Sequence, residues 1–248
     1  MDDLKRYEEL VKTIEYHNDC YYNQDDPKIS DYEYDMMMKE LKKIEKDHPE
    51  FVTPNSPTQH VGGSAKREAG VLVRHRVPML SLQDVFSKEE VQEFVKSMQE
   101  TLVDPVFVVE YKIDGLSMAL RYENGLLTTA ITRGDGIIQG EDVTVNAKVI
   151  KDVKNKLKEP IEYLEVRGEV YMTNEAFDKV NEIQELNNKK TFANPRNCAA
   201  GTLRQLDSRI TKQRNLSMFI FNIQDIRGKE ITSHSQGYEY LKKQGMKV

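Results

Sequence analysis

The sequence predicts an α+β protein in which a small N-terminal helical domain precedes a larger domain rich in antiparallel sheet. Apolar residues recur at helical spacing from Leu4 to Ile44. From residue 105 onward the chain instead carries runs of β-branched and aromatic residues, which are typical of strands. Residues 53–70 are rich in Pro, Ser, Asn and Gly and separate the two patterns. We therefore place the domain boundary near residue 65, which gives domains 1–65 and 66–248.

The composition argues against several classes of protein. The 248 residues carry 36 Lys and Arg against 41 Asp and Glu, a net charge of −5, which argues against a basic coat for nucleic acid but not against local basic patches. The two cysteines cannot form a four-cysteine zinc site and do not suggest a disulfide framework, so a reduced, cytoplasmic setting is expected. No apolar run approaches the length of a membrane span, and the charged N-terminus lacks the core of a signal peptide.

The first domain is predicted to contain two helices. Ser30 opens the second helix and Glu33 follows three residues later, which is the pattern of a capping box. Asp31 and Asp35 are four residues apart, so both carboxylates lie on one face near the start of this helix, which ends before Pro49. The apolar positions are Leu4, Tyr7, Leu10, Val11 and Ile14 in the first helix, and Tyr34, Met37, Met38, Leu41 and Ile44 in the second.

The second domain is predicted to begin with a helix and to continue with strands. Ser87 and Glu90 form another capping-box pattern ahead of an apolar stripe that reaches Leu102. The Asn124-Gly125 pair lies between two strand-like runs and predicts a hairpin, because this pair tolerates positive φ. The predicted strands are 106–112, 115–122, 126–133, 163–172 and 216–223, and the further predicted helices are 174–187 and 235–244.

Lys112, at the end of the first predicted strand, raises the question of function. Side chains alternate along a strand, so Glu110 and Lys112 are expected on one face. An ordinary surface ion pair is the commoner explanation of an isolated Lys-x-Asp-Gly sequence. The other explanation is a nucleophilic lysine, because partial burial and nearby cations lower the pKa of a lysine and free the lone pair of its amine.

The neighbouring motifs favour a polar cleft. Arg133 follows the hairpin in a glycine-rich turn, where it can direct a guanidinium at a phosphate. Alternation along the fourth predicted strand places Glu165, Arg167 and Glu169 on one face, opposite an apolar face. Solvent exposure alone would also explain three charges on one strand face. Because Lys112 and Arg133 are expected beside this strand, we favour a polar cleft.

Taken together and in this order, the motifs resemble those of the adenylation region of bacterial NAD-dependent DNA ligases over nearly the whole chain. "EYKIDG", residues 110–115, resembles nucleotidyltransferase motif I, and "LEVRGEVYM", residues 164–172, resembles motif III. "FANPRNCAAGTLRQLD", residues 192–207, resembles a long signature specific to that family. The segments "DPKISDYEYD", "SPTQHVGG", "PMLSLQDVFS" and "TRGDG" resemble the nicotinamide-side segment, the linker, the adenine-side segment and the segment after motif I.

The resemblance implies a role for each matching position. Lys112 would attack the α-phosphate of NAD, expel nicotinamide mononucleotide and hold AMP on its amine. Glu110 would read the adenine amino group, while Arg133 and Glu169 would hold the ribose and nearby groups. The remaining implied sites are Ser81 and Leu82 at the adenosine, Tyr21, Tyr22, Asp31, Tyr34 and Asp35 in the nicotinamide mononucleotide pocket, and Arg196 and Arg204 at DNA phosphates.

The resemblance also implies a cytoplasmic, monomeric DNA ligase that seals nicks in duplex DNA during replication and repair, with NAD as AMP donor and Mg²⁺ as a charge partner. The later nucleotidyltransferase motifs and the zinc module of the family are not found up to Val248. We therefore expect an N-terminal portion of a ligase with an incomplete adenylation domain, and zinc only in the missing part. Since the later lysines neutralise charge at the α-phosphate, this chain alone is expected to self-adenylate weakly or not at all.

Two other functions remain open at this point. The first is a non-catalytic nucleotide-binding module, in which Lys112 only pairs with a phosphate or a carboxylate. The second is an ATP-dependent RNA ligase or capping-type nucleotidyltransferase, which would share motif I. The second alternative would have no use for the two N-terminal helices, so "DPKISDYEYD" counts against it.

Overall fold

The structure, a computed structural model, describes residues 2–23, 27–53, 56–59 and 70–248. Its N-terminal part is helical and its C-terminal part is built on antiparallel strands, so the predicted α+β class is confirmed. The predicted domain boundary near residue 65 lies outside the described residues and stays a prediction. No helix within these ranges is both long and apolar enough to cross a membrane.

The N-terminal helices pack through the apolar positions that their spacing predicted. Helix α1 spans Asp2–Asn18 and continues as a π-helical turn, Asp19–Asn23, whereas α2 spans Asp31–Asp47. A short 3-10 turn, Pro49–Phe51, follows α2. The shared core of the two helices contains the buried side chains of Tyr7, Leu10, Ile14 and Leu41.

The capping box of α2 is confirmed in both directions. The Ser30 hydroxyl accepts a hydrogen bond from the Glu33 amide at 3.2 Å, and the Glu33 carboxylate accepts one from the Ser30 amide at 2.8 Å. These two bonds satisfy two backbone donors at the start of the helix, which lack partners inside it. The corresponding Ser87 hydroxyl accepts from the Glu90 amide at the start of helix α3, Lys88–Thr101.

A four-stranded antiparallel sheet forms the centre of the second domain, in the order β3-β2-β5-β6. Its hairpin turns at Asn124 and Gly125, with φ of 50° and 77°, as the Asn-Gly pair predicted. A separate two-stranded sheet pairs β1 with β4. The strands are β1 Leu72–Arg74, β2 Leu116–Glu123, β3 Leu126–Thr132, β4 Gln139–Glu141, β5 Tyr163–Tyr171 and β6 Ser217–Arg227.

Helices cover one face of the sheet and leave the other polar. Leu164, Val166 and Val170 of β5 point into the main core, where Cys198 and Leu203 of α6 are also buried. Helices α5 and α8 were predicted from the sequence, whereas the shorter α4, α6 and α7 were not. The helices of this domain after α3 are α4 Thr144–Ala147, α5 Asn174–Leu186, α6 Pro195–Leu203, α7 Ser208–Gln213 and α8 His234–Lys243.

The strand predicted over residues 106–112 is wrong. Residues 102–115 contain neither helix nor strand, and the side chains of Val106, Val109 and Tyr111 are 92%, 96% and 95% exposed. High strand propensity does not suffice, because an extended segment is stable only when a neighbouring strand accepts and donates its backbone hydrogen bonds. Within the described residues, no strand pairs with this segment.

Candidate functional site

The face of the sheet opposite the main core carries polar side chains in register. Ser117 of β2 lies opposite Glu169 of β5, and Ala119 lies opposite Arg167. Because alternate residues of a strand share a face, these four side chains project to the same side, as the sequence predicted for Glu169 and Arg167. The result is a polar strip at the end of the sheet where β2 begins.

Glu169 is held in this strip by Ser117. The Ser117 hydroxyl donates to the Glu169 carboxylate at 2.8 Å, and Arg167 donates to the same hydroxyl at 3.3 Å. Burial raises the pKa of Glu169, although Ser117 and the positive charges of Arg196, Lys112 and Arg167 act in the opposite direction. The carboxyl group of Glu169 is therefore largely buried beside its hydrogen-bond donor and near three cationic side chains.

The loop before α3 is attached to this strip by two arginines. Arg133 Nε donates to the Met79 carbonyl at 3.1 Å, and Arg167 Nη1 donates to the Leu80 carbonyl at 2.8 Å. The Met79 amide donates to the Gly136 carbonyl at 2.7 Å, and its side chain is fully buried. This attachment places the exposed residues Ser81 and Leu82 at the margin of the polar strip.

Two glycines permit the close approaches that shape the site. A Cβ at Gly115 would lie 2.2 Å from the carbonyl oxygen of Val170, so no other residue fits between Lys112 and β2 without a shift. Gly136 has a φ of 76°, and a Cβ there would meet the Met79 carbonyl at 3.0 Å. The glycine of the Lys-x-Asp-Gly sequence therefore fixes where the lysine segment joins the sheet.

Asp135 organises the turn that presents Arg133. Its Oδ1 accepts hydrogen bonds from the amides of Ile137, Ile138 and Gln139 at 2.9, 2.7 and 3.1 Å. Burial opposes ionisation of Asp135, but these three amides outweigh burial and lower its pKa. The turn is thus held by an ionised carboxylate rather than by a packed core.

Lys112 lies in the unpaired segment and is exposed, so the partial burial expected for it is wrong. The reason is the missing strand: without neighbours on either side, the segment cannot enclose the amine. Lys112 nevertheless stays near the polar strip, because Gly115, three residues later, packs directly against Val170 and the Glu169 side chain.

Glu110 contacts helix α8, which the sequence analysis did not anticipate. Tyr238 donates its hydroxyl to Glu110 Oε1 at 2.5 Å, and His234 Nε2 lies 2.9 Å from the same oxygen. Burial and the neighbouring Glu110 raise the pKa of Tyr238. Nothing in local sequence links positions 128 residues apart, so only the fold reveals this cluster.

The predicted nicotinamide-side residues are described only in part. Tyr34 donates to the side-chain oxygen of Asn18 at 2.8 Å and so joins α2 to the end of α1. Asp35 lies beside it on α2 and is partly buried. The side chains of Tyr22 and Asp31 lie outside what the structure describes.

Arg196 connects the N-terminal helices to the lysine segment. Its guanidinium lies 5.2 Å from the centre of the Tyr21 ring, and its Nη1 lies 3.4 Å from Asp114 Oδ1. Arg204 instead donates to Glu141 at 2.8 Å from a largely buried position. Both residues predicted to contact DNA are therefore engaged in ion pairs within the chain.

Comparison with known proteins identifies the family. A model of the NAD-dependent DNA ligase adenylation domain matches residues 70–248, and a model of the DNA ligase-like, N-terminal NAD⁺-binding domain matches residues 1–62. The chain belongs to the NAD-dependent DNA ligase family. The family resemblance inferred from the motifs is thereby confirmed.

Curated DNA ligases match this ligase-family chain from end to end. The DNA ligase of Clostridium kluyveri is 55% identical over 248 residues, which is 100% of this chain and 37% of the relative. The DNA ligase of Caldicellulosiruptor saccharolyticus is 53% identical over 246 residues, which is 98% of this chain and 36% of the relative. The DNA ligase of Acetivibrio thermocellus is 50% identical over 249 residues, which is 100% of this chain and 37% of the relative. The chain thus spans little more than a third of the length of these relatives.

At the polar strip, the fold brings together Glu169, Arg133 and the loop that carries Ser81 and Leu82, with Lys112 in the adjoining segment. Glu110 lies against α8 instead. Sequence reasoning placed Arg167 on the correct face but gave it no task, and it missed Ser117, His234 and Tyr238. Ser117 had a local signal, since alternation along β2 and the pairing of β2 with β5 put a hydroxyl opposite Glu169.

Proposed function

We propose that this chain supplies the nucleophile and donor-binding residues for the adenylation step of NAD-dependent DNA ligation, a step that the full-length ligase completes. Lys112 Nζ, after losing its proton to solvent, attacks the α-phosphorus of NAD. A nitrogen–phosphorus bond forms, the phosphorus–oxygen bond to nicotinamide mononucleotide breaks, and AMP stays on the lysine. The observation that carries the proposal is the position of Lys112 three residues before Gly115, where a Cβ would lie 3.1 Å from the Glu169 side chain, so the lysine segment joins the sheet beside the polar strip.

Charge at the strip supports binding of a pyrophosphate. Arg133 and Arg167 are near enough for Arg133 to help lower the pKa of Arg167, the larger cause being burial. Two neighbouring guanidinium groups create a positive potential that attracts phosphate oxygens. Glu169, whose ionisation burial disfavours, is suited to accept hydrogen bonds from a ribose hydroxyl.

The adenine is assigned to the exposed loop residues Ser81 and Leu82 together with Glu110. In this arrangement the carboxylate of Glu110 accepts a hydrogen bond from the adenine amino group. That role requires Glu110 to leave Tyr238 and His234, which hold it at 2.5 and 2.9 Å. Nucleotide binding would therefore exchange a contact within the chain for a contact with the base.

The nicotinamide half is assigned to Tyr21, Tyr22, Asp31, Tyr34 and Asp35. A nicotinamide ring in NAD carries positive charge, which carboxylates neutralise and tyrosine rings attract. Arg196, at the edge of the Tyr21 ring and beside Asp114, connects this pocket with the lysine segment. This connection supports a single site that receives both halves of NAD.

Mg²⁺ would bind mainly through the nucleotide. Among the described residues, no group of three or more His, Cys, Asp and Glu side chains could hold a metal ion. Mg²⁺ ordinarily keeps water ligands and takes only one or two carboxylates together with substrate phosphates. A magnesium–NAD complex fits such a site, and the ion would neutralise phosphate charge there.

Transfer of the AMP to nicked duplex DNA is the proposed next step. Arg196 and Arg204 remain the proposed phosphate contacts, because phosphate contacts position a duplex without reading its sequence. Each would first have to release its partner, Asp114 or Glu141. Nick sealing in replication and repair, in the cytoplasm and by a monomer, is the proposed setting.

Donor choice tests the proposal against its alternatives. NAD with Mg²⁺ should raise the thermal midpoint of the chain, whereas ATP should raise it less, because ligand binding stabilises by mass action. Asp35→Ala should abolish the difference between NAD and ATP, and Lys112→Ala should leave NAD binding in place. Equal stabilisation by ATP and NAD would favour the capping-type alternative. Binding of NAD with no AMP transferred to Lys112 in the full-length ligase would favour the non-catalytic module.

A further inference from the structure

Arg167 connects two parts of the site that are distant in sequence. Its Nη1 donates to the Leu80 carbonyl at 2.8 Å, and its Nη2 donates to the Ser117 hydroxyl at 3.3 Å. The Phe221 ring supports the guanidinium at 5.4 Å. Ser117 in turn donates to Glu169 at 2.8 Å. One side chain thus joins the backbone of the loop to the carboxylate on β5.

Arg121, on the same face of the sheet, shows what a purely structural arginine looks like here. Its Nε donates to the Glu165 carboxylate at 2.9 Å, and its Nη2 donates to the Arg74 carbonyl at 3.0 Å. Arg167 has no carboxylate partner within ion-pair distance in the described part of the chain, and its buried Nε has no hydrogen-bond partner there. A direct ion pair therefore does not explain an arginine at position 167, whereas its two donated hydrogen bonds do.

We propose that Arg167 is a positioning residue for the adenosine half of the donor nucleotide, because it fixes the distance between the loop carrying Ser81 and Leu82 and the carboxylate of Glu169. This inference rests on the proposed function. The planar guanidinium can donate to Leu80 and Ser117 at the same time in a fixed geometry. A lysine at this position would keep the charge but could not hold both acceptors in that geometry.

Arg167→Lys is the main test, and Ser117→Ala removes only the link between Arg167 and Glu169. Affinities for AMP, NAD and nicotinamide mononucleotide are measured by calorimetry, and backbone hydrogen exchange reports on residues 79–83. In Arg167→Lys we expect faster exchange in this loop and affinities for AMP and NAD lower by about tenfold, with the affinity for nicotinamide mononucleotide unchanged. Ser117→Ala should weaken AMP binding without releasing the loop.

Arg227 on β6 has a largely exposed side chain, so Arg227→Lys is the control for exchanging an arginine for a lysine. It should alter neither the nucleotide affinities nor the hydrogen exchange of residues 79–83. Equal weakening of AMP and nicotinamide mononucleotide binding in Arg167→Lys would overturn the proposal, since that result indicates general destabilisation. Unchanged AMP affinity or unchanged loop exchange would also overturn it. If the parent chain binds neither AMP nor NAD, the proposed function fails together with this proposal; if the parent binds and Arg167→Lys binds equally well, only this proposal fails.

Discussion

Arg121 and Glu165 form a buried ion pair across β2 and β5, with 2.9 Å between Nε and Oε2 and side-chain exposures of 6% and 1%. The pair lies on the same face of the sheet as Ser117 and Glu169, toward the hairpin end. Tyr163 also donates its hydroxyl to Glu165. The polar face therefore has a closed end, where Arg121 and Glu165 neutralise each other, and an end around Glu169 whose arginine has no ion-pair partner among the described residues and which is suited to a ligand.

The closed end predicts a large loss of stability in Glu165→Gln. The substitution leaves the Arg121 guanidinium buried without its counter-charge, which typically costs about 3–5 kcal/mol in the free energy of unfolding. Urea denaturation followed by circular dichroism measures the change. Glu162→Gln, an exposed neighbour in sequence, is the control and should stay within about 0.5 kcal/mol of the parent. A loss below about 1 kcal/mol in Glu165→Gln would show that solvent reaches this pair.

We predict that Glu169→Gln makes the chain more stable than the parent by an amount that grows with pH. Burial raises the pKa of Glu169 above its ordinary value of 4.5, so the folded chain holds this proton more tightly than the unfolded chain does. The stability that this group contributes is complete below the unfolded-state pKa and is lost as pH rises through the folded-state pKa. A neutral glutamine avoids that loss, so the variant should become more stable than the parent as pH rises.

Thermal midpoints of the parent and Glu169→Gln, measured from about pH 4 to about pH 8, test this sign. The difference should be small at the acidic end and grow toward neutral pH. Glu182→Gln, at an exposed position of α5, should show no such trend. A difference that shrinks with rising pH would mean that Glu169 is stabilised as a carboxylate in the folded chain.

The close packing at Gly115 predicts that a larger side chain is not tolerated at this position near Lys112. Gly115→Ala would place a Cβ 2.2 Å from the Val170 carbonyl oxygen, so β2 or the lysine segment must shift. We expect a loss of about 1–3 kcal/mol in the free energy of unfolding, together with weaker NAD binding. Gly70→Ala is the matched control, since among the described residues, its chain neighbour aside, none places an atom within 4 Å of the added Cβ. Equal effects of the two substitutions would argue against the close approach.

We predict that removal of the Tyr238 hydroxyl raises the affinity of the chain for AMP. Tyr238→Phe keeps the ring but deletes the hydrogen bond that holds Glu110 on α8. If Glu110 must turn toward adenine, the affinity for AMP should rise by about threefold to tenfold, because a competing contact has been removed. Calorimetric titration with AMP measures the change, and Tyr171→Phe, which alters a tyrosine outside this cluster, provides the comparison. Weaker AMP binding by Tyr238→Phe would place the Tyr238 hydroxyl itself at the base.

The elements predicted correctly depend on local chemistry. Ser30 with Glu33 forms a capping box, and Asn124 with Gly125 forms a hairpin, because each pair acts within a few residues. Helix α6 was missed because it is short and carries only a weak apolar stripe. Its start was nevertheless marked by Asn194, which caps the helix by accepting from the Asn197 amide, and by Pro195 at its first position.

The elements predicted wrongly depend on partners far along the chain. Residues 106–112 have the composition of a strand, but a strand forms only where another strand completes its hydrogen bonds. The same limit applies at the site. Lys112, Arg133 and Glu169 carried readable motifs, whereas Tyr238 and Arg167 acquire their contacts only when α8 and the loop before α3 fold against the sheet.

A crystal structure of the chain soaked with NAD tests the central claim most directly. The account predicts the α-phosphorus within bonding reach of Lys112 Nζ, the adenine between the Ser81–Leu82 loop and Glu110, and the nicotinamide ring against residues 1–65. NAD bound away from the polar strip, or Lys112 directed into solvent with the α-phosphate held by other groups, would contradict it.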